Sequence, residues 1–378
     1  MAERKSLIID AVRSPIGEKR GIMAGNVRAD DLAAQVMSQL MDRNAGVSRD
    51  DVEDVVMGCA FPEGSQGMLI ARSAAVLAGI TINSGAKVVN RFCGSSMDGF
   101  HQISQAIEAG DIDVGIAAGV EDMFSVPMGG FNPDFHPELA EQEYYIGMGE
   151  TAENLAQELS ISREDQEDFA INSHKKALKA QSEGRFDNEI TPITVNGEAV
   201  NKDEGPREPN VEKIKSLNPA FDVNGTITPA TSSPISIGAS MIAISNEEKA
   251  HKLGLKPKFR ILSRAIAGVD WKIMGSGPLP ATEKALKKCG MDMKDIDVIE
   301  LNEAFAAQSL ACISELGIDM SKLNVHGGAI AMGHPLGASG ARITGKAAAL
   351  LNVSNKKYAL STMCVGGGQG CATVLERG

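Results

Sequence analysis

Long apolar runs are missing from this 378-residue sequence. No stretch reaches about eighteen uninterrupted apolar residues, which a helix needs to cross a bilayer. The opening residues, MAERKSLIIDAVRSPIG, carry an apolar run that is too short for the core of a signal peptide. We therefore expect a protein without a membrane span that resides in the cytoplasm, where thiols stay reduced.

Paired cysteines are also missing. The six cysteines form no CxxC pair and no zinc-finger spacing, and they stand at positions 59, 93, 289, 312, 364 and 371. The sequence therefore indicates neither a disulfide framework nor a metal site. Each cysteine is expected to be either packed in the core or chemically reactive.

Positive charge is in short supply. Lys and Arg number 37 against 49 Asp and Glu, which gives a net charge of -12. This balance argues against a general nucleic-acid-binding surface, because phosphate contacts need clustered cations. The balance still allows local basic patches that bind an anionic ligand. The candidates are Lys175, Lys176 and Lys179 or Lys213 and Lys215.

The sequence does contain a regular alternation of short apolar runs and amphipathic stretches. This pattern predicts an α/β fold with helices covering its sheets. The predicted strands include SLIIDA, DVVMG, AKVVN, DVGIAAG, FRILSRAIAG, DVIEL, NVHG and YALSTMC, and the predicted helices cover 30–42, 96–108, 282–288 and 304–316. A chain of this length is expected to form two or more packed units.

A weak internal repeat relates two parts of the chain, because RDDVEDVVMG resembles MKDIDVIELN. Asp51 pairs with Asp295 at an offset of 244, and Cys93 falls opposite His334 at an offset of 241. Chance similarity between apolar strands is the alternative. We predict an N-terminal half over 1–118, an inserted loop domain over 119–245 whose end returns to that half, and a C-terminal half over 246–378.

Cys93, in VVNRFCGSSMDGF, follows a predicted strand and precedes a predicted helix. Unpaired N–H groups and the macrodipole at a helix N-terminus favour the thiolate, which is the nucleophilic form. Gly94 lets the backbone pass close to the atom that the sulfur attacks. A cysteine that only packs in the core is the alternative.

His334 lies amid Gly, Pro and Ala in GGAIAMGHPLGASGAR, in a predicted loop before a helix that begins near Ala341. So much glycine is costly unless the backbone must approach another group closely, which favours a catalytic base over a packed histidine. Cys364, in STMCVGGGQG, ends another predicted strand. The glycine turn that begins at Gly366 can present N–H groups to an oxyanion.

Asn302, in DVIELNEAFAAQ, stands between a predicted strand and a predicted helix. Its amide can cap that helix, or it can hold a water that donates to an oxyanion. Glu303 can be a base or an orienting partner for a nearby side chain.

Together the segments NRFCGSS, NEAFAAQ, GGAIAMGHPLGASGAR and CVGGGQG resemble the motifs of the thiolase family, in order and over essentially the whole chain. The resemblance implies a duplicated thiolase fold, with two βαβαβαββ-type halves in α-β-α-β-α layers and an inserted loop domain. It also implies that Cys93 is acylated, that His334 takes its proton and donates to an oxyanion, and that Cys364 is an acid and base. Asn302, through a water, and the backbone N–H of Gly366 are implied as oxyanion donors.

The resemblance further implies that Met148, Ser233 and Phe305 contact the acyl group or coenzyme A. Segments such as GMGETAENLA and IMGSGPLPA look most like the thiolase subunit of bacterial fatty-acid β-oxidation complexes. The implied reaction is cleavage of 3-ketoacyl-CoA by coenzyme A, with no tightly bound cofactor. The implied assembly is a homodimer or a dimer of dimers, alone or in an α2β2 complex with a multifunctional hydratase and dehydrogenase chain.

Departures from the family pattern bear on the substrate. Gly147 stands where acetoacetyl-type thiolases usually carry histidine, which favours a medium- or long-chain acyl group. Asn218 stands where an arginine is common and Ile237 where an aspartate is usual, so the residues that contact coenzyme A are not determined by the resemblance.

The alternatives to a 3-ketoacyl-CoA thiolase are a biosynthetic acetoacetyl-CoA thiolase, a silent acyl-CoA-binding subunit, and a ketoacyl synthase. Cys364 argues against the synthase, which typically lacks that second cysteine.

Overall fold

The computed structural model describes residues 4–256 and 259–378. Its strands are β1 Ser6–Arg13, β2 Gly17–Glu18, β3 Asp54–Gly58, β4 Gly85–Val89, β5 Val114–Asp122, β6 Ile193–Val195, β7 Glu198–Val200, β8 Ser236–Asn246, β9 Phe259–Gly268, β10 Val298–Leu301, β11 Tyr358–Val365 and β12 Gln369–Arg377. Its helices are α1 Ala29–Arg43, α2 Ile70–Leu77, α3 Ser95–Ala109, α4 Pro137–Glu141, α5 Met148–Glu158, α6 Arg163–Ser182, α7 Val211–Lys215, α8 Glu247–Lys252, α9 Pro278–Cys289, α10 Ala306–Leu316, α11 Ala329–Met332 and α12 Leu336–Ser354. None of the helices in these ranges is long and apolar enough to cross a membrane.

The main sheet consists of two equivalent parts. The N-terminal part has the order β4-β3-β5-β8-β1, and the C-terminal part has the order β10-β11-β12-β9. Leu323 forms a parallel bridge to Ile299 of β10, in the position that β4 takes beside β3. Among the described residues, two pairs, at Leu7 and Ile8 of β1, join the parts through β9. The predicted duplication is confirmed.

Helices α3 and α12 pack against each other between the two parts of the sheet. Phe100 of α3 and Leu351 of α12 share one buried cluster with Ile242 of β8 and Leu375 of β12. Helices α1 and α2 cover the outer face of the N-terminal part, and α9 and α10 cover that of the C-terminal part. The predicted α-β-α-β-α layering is therefore confirmed. Every residue of β5 and β8 is buried, as their continuous apolar runs predict.

The segment between β5 and β8 carries helices α4 to α7 and the β6-β7 hairpin. It corresponds to the predicted inserted domain over 119–245, although β5 continues to Asp122 and β8 begins at Ser236. The stated domain boundaries stay a prediction.

Two sequence-based predictions of secondary structure are wrong. NVHG is not a strand, because backbone pairing with β10 ends at Asn324, whose N–H donates to the C=O of Ile299, while its side chain hydrogen-bonds the N–H and the C=O of Leu301. Helix α12 begins at Leu336 rather than near Ala341. Glycine disfavours a helix there, but burial of the whole first half of α12 outweighs that preference.

Candidate active site

Cys93 lies between β4 and α3, directly before Gly94, the N-cap residue of α3. Burial raises the pKa of its thiol to about 11, although the backbone N–H groups of Gly366 and of Cys93 itself act to lower it. The backbone N–H groups thus favour the thiolate, but burial outweighs them in the resting site. Cys93 is a thiol at neutral pH and needs a base to become a nucleophile.

Gly366 begins the turn between β11 and β12 and brings its N–H to the Cys93 sulfur. The next two glycines of the turn have φ of +75° and +76°, a backbone conformation that favours glycine. A β-carbon on Gly366 would lie 3.3 Å from the Phe92 ring and 3.7 Å from Met148 Sδ. Cys93, Gly366 and Met148 are thus brought together.

His334 follows Gly333, whose φ of +112° and close approach to Ser236 leave no room for a β-carbon. The N–H of His334 donates to Ser236 Oγ at 3.1 Å. Burial lowers the pKa of the imidazole to about 3, and the positive charge of Arg342 adds to this effect. The ring is therefore neutral at physiological pH and can accept a proton.

Asn302 connects the exit of β10 to the histidine. Its Nδ2 lies 3.3 Å from His334 Nε2, and its Oδ1 lies 3.4 Å from Arg342 Nη2. It does not cap the following helix, because the N-cap residue of α10 is Phe305. Of the two roles weighed from the sequence, the one in the reactive site is the one that this geometry fits.

Glu303 has its hydrogen-bond partners outside this cluster. Its buried carboxylate accepts hydrogen bonds from Ser173 Oγ, Asn324 Nδ2 and the N–H of Ile330. These contacts bind α6 and the segment before His334 to the exit of β10. The geometry therefore fits an orienting partner rather than a base.

Cys364 lies at the end of β11 and is fully buried. Burial raises the pKa of its thiol well above the ordinary value, and the nearby Cys93 raises it further. Its side chain packs in one cluster with Phe305 and Met274, and Met148 packs against that cluster. Ser233 is half-buried. Its N–H donates to the C=O of Ala304 at 3.0 Å, and Ala304 belongs to the cluster of Cys364, so Ser233 lies beside that cluster. Cys93, Gly366, Met148, Cys364, Phe305 and Ser233 therefore gather in one region, and Asn302, which contacts His334, stands three residues before Phe305.

Three residues with close contacts to this region were missed by the sequence-based analysis. Ser339 Oγ lies 2.6 Å from His334 Nδ1, Arg342 contacts Asn302, and Glu121 accepts a hydrogen bond from the N–H of Gly337. A signal for the first two was available, because they stand in the same glycine-rich motif as His334. An α12 that begins at Leu336 would have put them on its first two turns. No cluster of three or more His, Cys, Asp or Glu side chains suited to a metal ion occurs within 4–256 and 259–378.

Comparison with known families assigns both halves of the chain. The family model of the thiolase N-terminal domain matches residues 6–248, and that of the thiolase C-terminal domain matches residues 255–377. The chain belongs to the thiolase family. The family membership predicted from the sequence is thus confirmed.

Individual thiolases are similar along their whole length. A 3-ketoacyl-CoA thiolase of Vibrio parahaemolyticus is 47% identical over 388 residues, which cover 99% of this chain and 98% of the relative. One of Shewanella frigidimarina is 47% identical over 386 residues, which cover 99% of this chain and 100% of the relative. The crystal structure of Bacillus anthracis acetyl-CoA acetyltransferase superimposes with a TM-score of 0.91 at 37% identity, covering 100% of this thiolase and 99% of that chain.

Proposed function

We propose that this thiolase is a 3-ketoacyl-CoA thiolase, an acetyl-CoA C-acyltransferase of fatty-acid β-oxidation. It uses coenzyme A to cleave 3-ketoacyl-CoA into acetyl-CoA and an acyl-CoA that is two carbons shorter. The observation that carries the proposal is the proximity of two buried thiols, Cys93 and Cys364, with the neutral His334 held by Asn302, three residues before the Phe305 that packs with Cys364. The names of the Vibrio and Shewanella relatives support the substrate class.

In the first half-reaction, Cys93 Sγ attacks the C3 carbonyl carbon of the substrate and its proton passes to His334 Nε2. The bond between C2 and C3 then breaks, its electron pair forms the enolate of acetyl-CoA, and the Cys364 thiol protonates C2. Acetyl-CoA leaves, and an acyl thioester remains on Cys93. Covalent catalysis of this kind divides one difficult carbon–carbon cleavage into two easier acyl transfers.

In the second half-reaction, the Cys364 thiolate takes the proton of the CoA thiol, whose sulfur attacks the acyl carbon. The tetrahedral intermediate collapses, and Cys93 leaves and recovers its proton from His334. Each addition places negative charge on an oxygen, which needs hydrogen-bond donors. We assign one oxyanion to the N–H groups of Cys93 and Gly366, and the other to protonated His334 with a water held by Asn302.

We propose that coenzyme A enters past Ser233. A cavity of about 450 Å³ includes Ala230, three residues before Ser233, in its wall. Arg207 and Lys213 also line this cavity and supply positive charge for phosphate groups. Lys213 is one of the sequence-predicted basic candidates, whereas Lys176 Nζ donates to the C=O of Leu323 and is held by the fold.

The substrate is proposed to carry a medium or long acyl chain. Gly147 is exposed at the start of α5, beside Met148, and the nearest neighbour of a β-carbon there would be Glu150, at 3.7 Å. The missing side chain leaves space next to the site. Among the alternatives, an acetoacetyl-CoA enzyme is supported by the name of the Bacillus anthracis structure, at the lower identity of 37%.

Thiolysis rates for acetoacetyl-CoA and 3-ketodecanoyl-CoA test the proposal. We expect acetyl-CoA release from both and a higher kcat/KM for the longer substrate. Cys93→Ala should abolish both activities, while Cys289→Ala, which removes a half-buried thiol on α9, should retain them. A strong preference for acetoacetyl-CoA would identify an acetyl-CoA acetyltransferase, and no thiolysis of either substrate would identify a silent acyl-CoA-binding subunit.

We also propose that this thiolase forms a homodimer through β4. Among the described residues, β4 pairs only with β3 and leaves its other edge open. Helix α2 packs on β4, and nearby apolar side chains are exposed: Val76 by 54%, Leu77 by 58% and Ile82 by 82%. An open edge beside an apolar patch fits the same strand of a second copy.

Sedimentation velocity tests this interface. The parent protein should sediment as a dimer or a larger oligomer and Ile82→Lys should shift it toward the monomer, whereas an unshifted oligomer would contradict the assignment. The α2β2 complex with a hydratase and dehydrogenase chain and the cytoplasmic location stay predictions. Copurification of such a chain from the native cell tests the former.

A further inference from the structure

Four polar contacts run in series through the buried site. Arg342 Nη2 lies 3.4 Å from Asn302 Oδ1, and Asn302 Nδ2 lies 3.3 Å from His334 Nε2. His334 Nδ1 lies 2.6 Å from Ser339 Oγ, which in turn lies 2.9 Å from the C=O of Pro335. All five residues are buried. Donors and acceptors in this series must therefore satisfy one another.

The two ends of the series fix its direction. A guanidinium group has only donors, so the atom of Asn302 that faces Arg342 is the carbonyl oxygen and the amide NH₂ faces His334. A backbone carbonyl only accepts, so the one hydroxyl proton of Ser339 goes to Pro335. Ser339 Oγ must then accept from His334. Consequently Nε2 of His334 accepts a hydrogen bond and Nδ1 donates one.

We infer that Ser339 and Arg342 are positioning residues that hold His334 in the Nδ1–H tautomer, so that Nε2 is unprotonated and takes the proton of Cys93 in place of the hydrogen bond from Asn302. This inference rests on the proposed function and names the residues that prepare its base. Both residues act through another side chain, Ser339 through the imidazole and Arg342 through the amide of Asn302. A histidine in the other tautomer would present a proton instead of a lone pair and could not act as a base at Nε2.

The geometry of α12 explains how one short segment can determine the tautomer of His334. The helix begins two residues after His334, and Ser339 and Arg342 are three positions apart, on the same face. Burial keeps the pKa of His334 near 3, so the ring stays neutral and the choice between its two tautomers matters. Removal of the Ser339 hydroxyl would leave Nδ1–H without its acceptor in a buried site, which favours the other tautomer.

The matched control is Thr344 on the same helix. Its hydroxyl is also buried, and it donates to the C=O of Gly340 and lies 3.1 Å from Ser361 Oγ, outside the series of contacts. Ser339→Ala and Thr344→Val each remove one buried hydroxyl from α12. A merely structural role for Ser339 predicts the same behaviour for both variants.

Nitrogen-15 NMR of the full-length protein labelled on histidine tests the inference, with His334 assigned by comparison with His334→Gln. At neutral pH we expect a protonated Nδ1 and an unprotonated Nε2 in the parent protein and in Thr344→Val, and a shift toward the Nε2–H form in Ser339→Ala. In thiolysis, Ser339→Ala should lower kcat by about 10–100-fold, part of the contribution of a general base, with KM changed by less than about twofold. Arg342→Lys, which keeps the charge but loses the planar fork, should lower kcat in the same range.

An Nε2–H tautomer in active parent protein would overturn the inference and leave the proposed function intact. Equal tautomer populations and equal kcat in Ser339→Ala and the parent would also overturn it. An Nδ1–H tautomer in a parent protein without thiolysis would instead overturn the proposed function, because the tautomer measurement does not depend on turnover.

Discussion

Glu121 and Gly337 join the two halves of the protein at the site. Glu121 Oε2, at the end of β5, accepts a hydrogen bond of 2.7 Å from the N–H of Gly337 in the first turn of α12. The same oxygen accepts one of 2.7 Å from the N–H of Ala60, which follows β3. Because Gly337 is three residues after His334, this buried carboxylate holds the segment that carries the histidine against the N-terminal half.

Glu121→Gln should destabilise the protein without changing the size of the side chain. Glu121 Oε1 accepts from the N–H of Phe61 and from Gln66 Nε2, each at 3.2 Å. The NH₂ group of a glutamine would face these donors with another donor. We expect a loss of about 1–3 kcal/mol in the free energy of unfolding, measured with urea. Glu158→Gln, at an exposed position, should change it by less than about 0.5 kcal/mol, and equal effects would contradict the proposed linkage.

Gly366→Ala should impair activity more than stability. Its φ is not in the left-handed region, so alanine is tolerated by the backbone, but the new methyl group would contact Phe92 and Met148. We expect kcat/KM for thiolysis to fall by about tenfold or more, since the methyl group enters the space proposed for the acyl chain and the oxyanion.

Gly290 provides the opposite control. It follows α9 with φ of +68°, and a β-carbon there would meet nothing within 4 Å. Gly290→Ala should lower the free energy of unfolding by about 1 kcal/mol and leave kcat/KM unchanged. If Gly366→Ala, like Gly290→Ala, lowers the free energy of unfolding but leaves kcat/KM unchanged, Gly366 does not belong to the reactive site.

Buried neutral histidines should make stability depend on pH. Burial lowers the pKa of His101 and of His334 to about 3, from 6.5. Below pH 6.5 the unfolded chain binds a proton at each ring and the folded chain does not, so stability is full above pH 6.5 and falls as the pH drops toward 3. Each ring contributes a slope of about 1.4 kcal/mol per pH unit.

His101→Gln isolates one of these contributions, because an amide can keep the hydrogen bond to Thr373 Oγ1. Urea unfolding between about pH 6 and pH 4 should show a slope that is smaller by about 1.4 kcal/mol per pH unit than in the parent protein. Identical slopes in the two proteins would mean that His101 titrates normally in the folded state.

Gly147→His should change the preference for chain length. An imidazole there would fill space beside Met148. We expect the ratio of kcat/KM for 3-ketodecanoyl-CoA over acetoacetyl-CoA to fall by about tenfold. Gly147→Ala, whose β-carbon would have its nearest contact with Glu150 at 3.7 Å, should leave this ratio unchanged. An unchanged ratio in the histidine variant would show that Gly147 does not determine the preference for long substrates.

The sequence predicted those parts of the protein that depend on local pattern. Cys93 and His334 were paired by their offset, and the structure has them at equivalent positions, each just before a helix of the middle layer. Strand-to-helix junctions can be predicted from apolar runs and glycine, which the sequence shows directly. The start of α12 could not be predicted, because packing between the two sheets, rather than helix propensity, decides it.

The protonation states of the site could not be predicted from the sequence either. The position of Cys93 near a helix N-terminus favoured a thiolate, but burial outweighs that effect and raises the thiol pKa to about 11. Likewise, the series from Arg342 to Pro335 depends on side-chain directions that residue spacing does not specify. Only the buried contacts of Asn302 and Ser339 reveal which nitrogen of His334 carries the proton.

The central claim is that Cys93 carries the acyl group between the two half-reactions. Rapid mixing with 3-ketodecanoyl-CoA in the absence of free coenzyme A, followed by acid quench and peptide mass mapping, measures this directly. The account predicts an octanoyl adduct on the peptide that contains Cys93, also present in Cys289→Ala and absent from Cys93→Ala. An octanoyl group on a different cysteine, or turnover by Cys93→Ala, would contradict it.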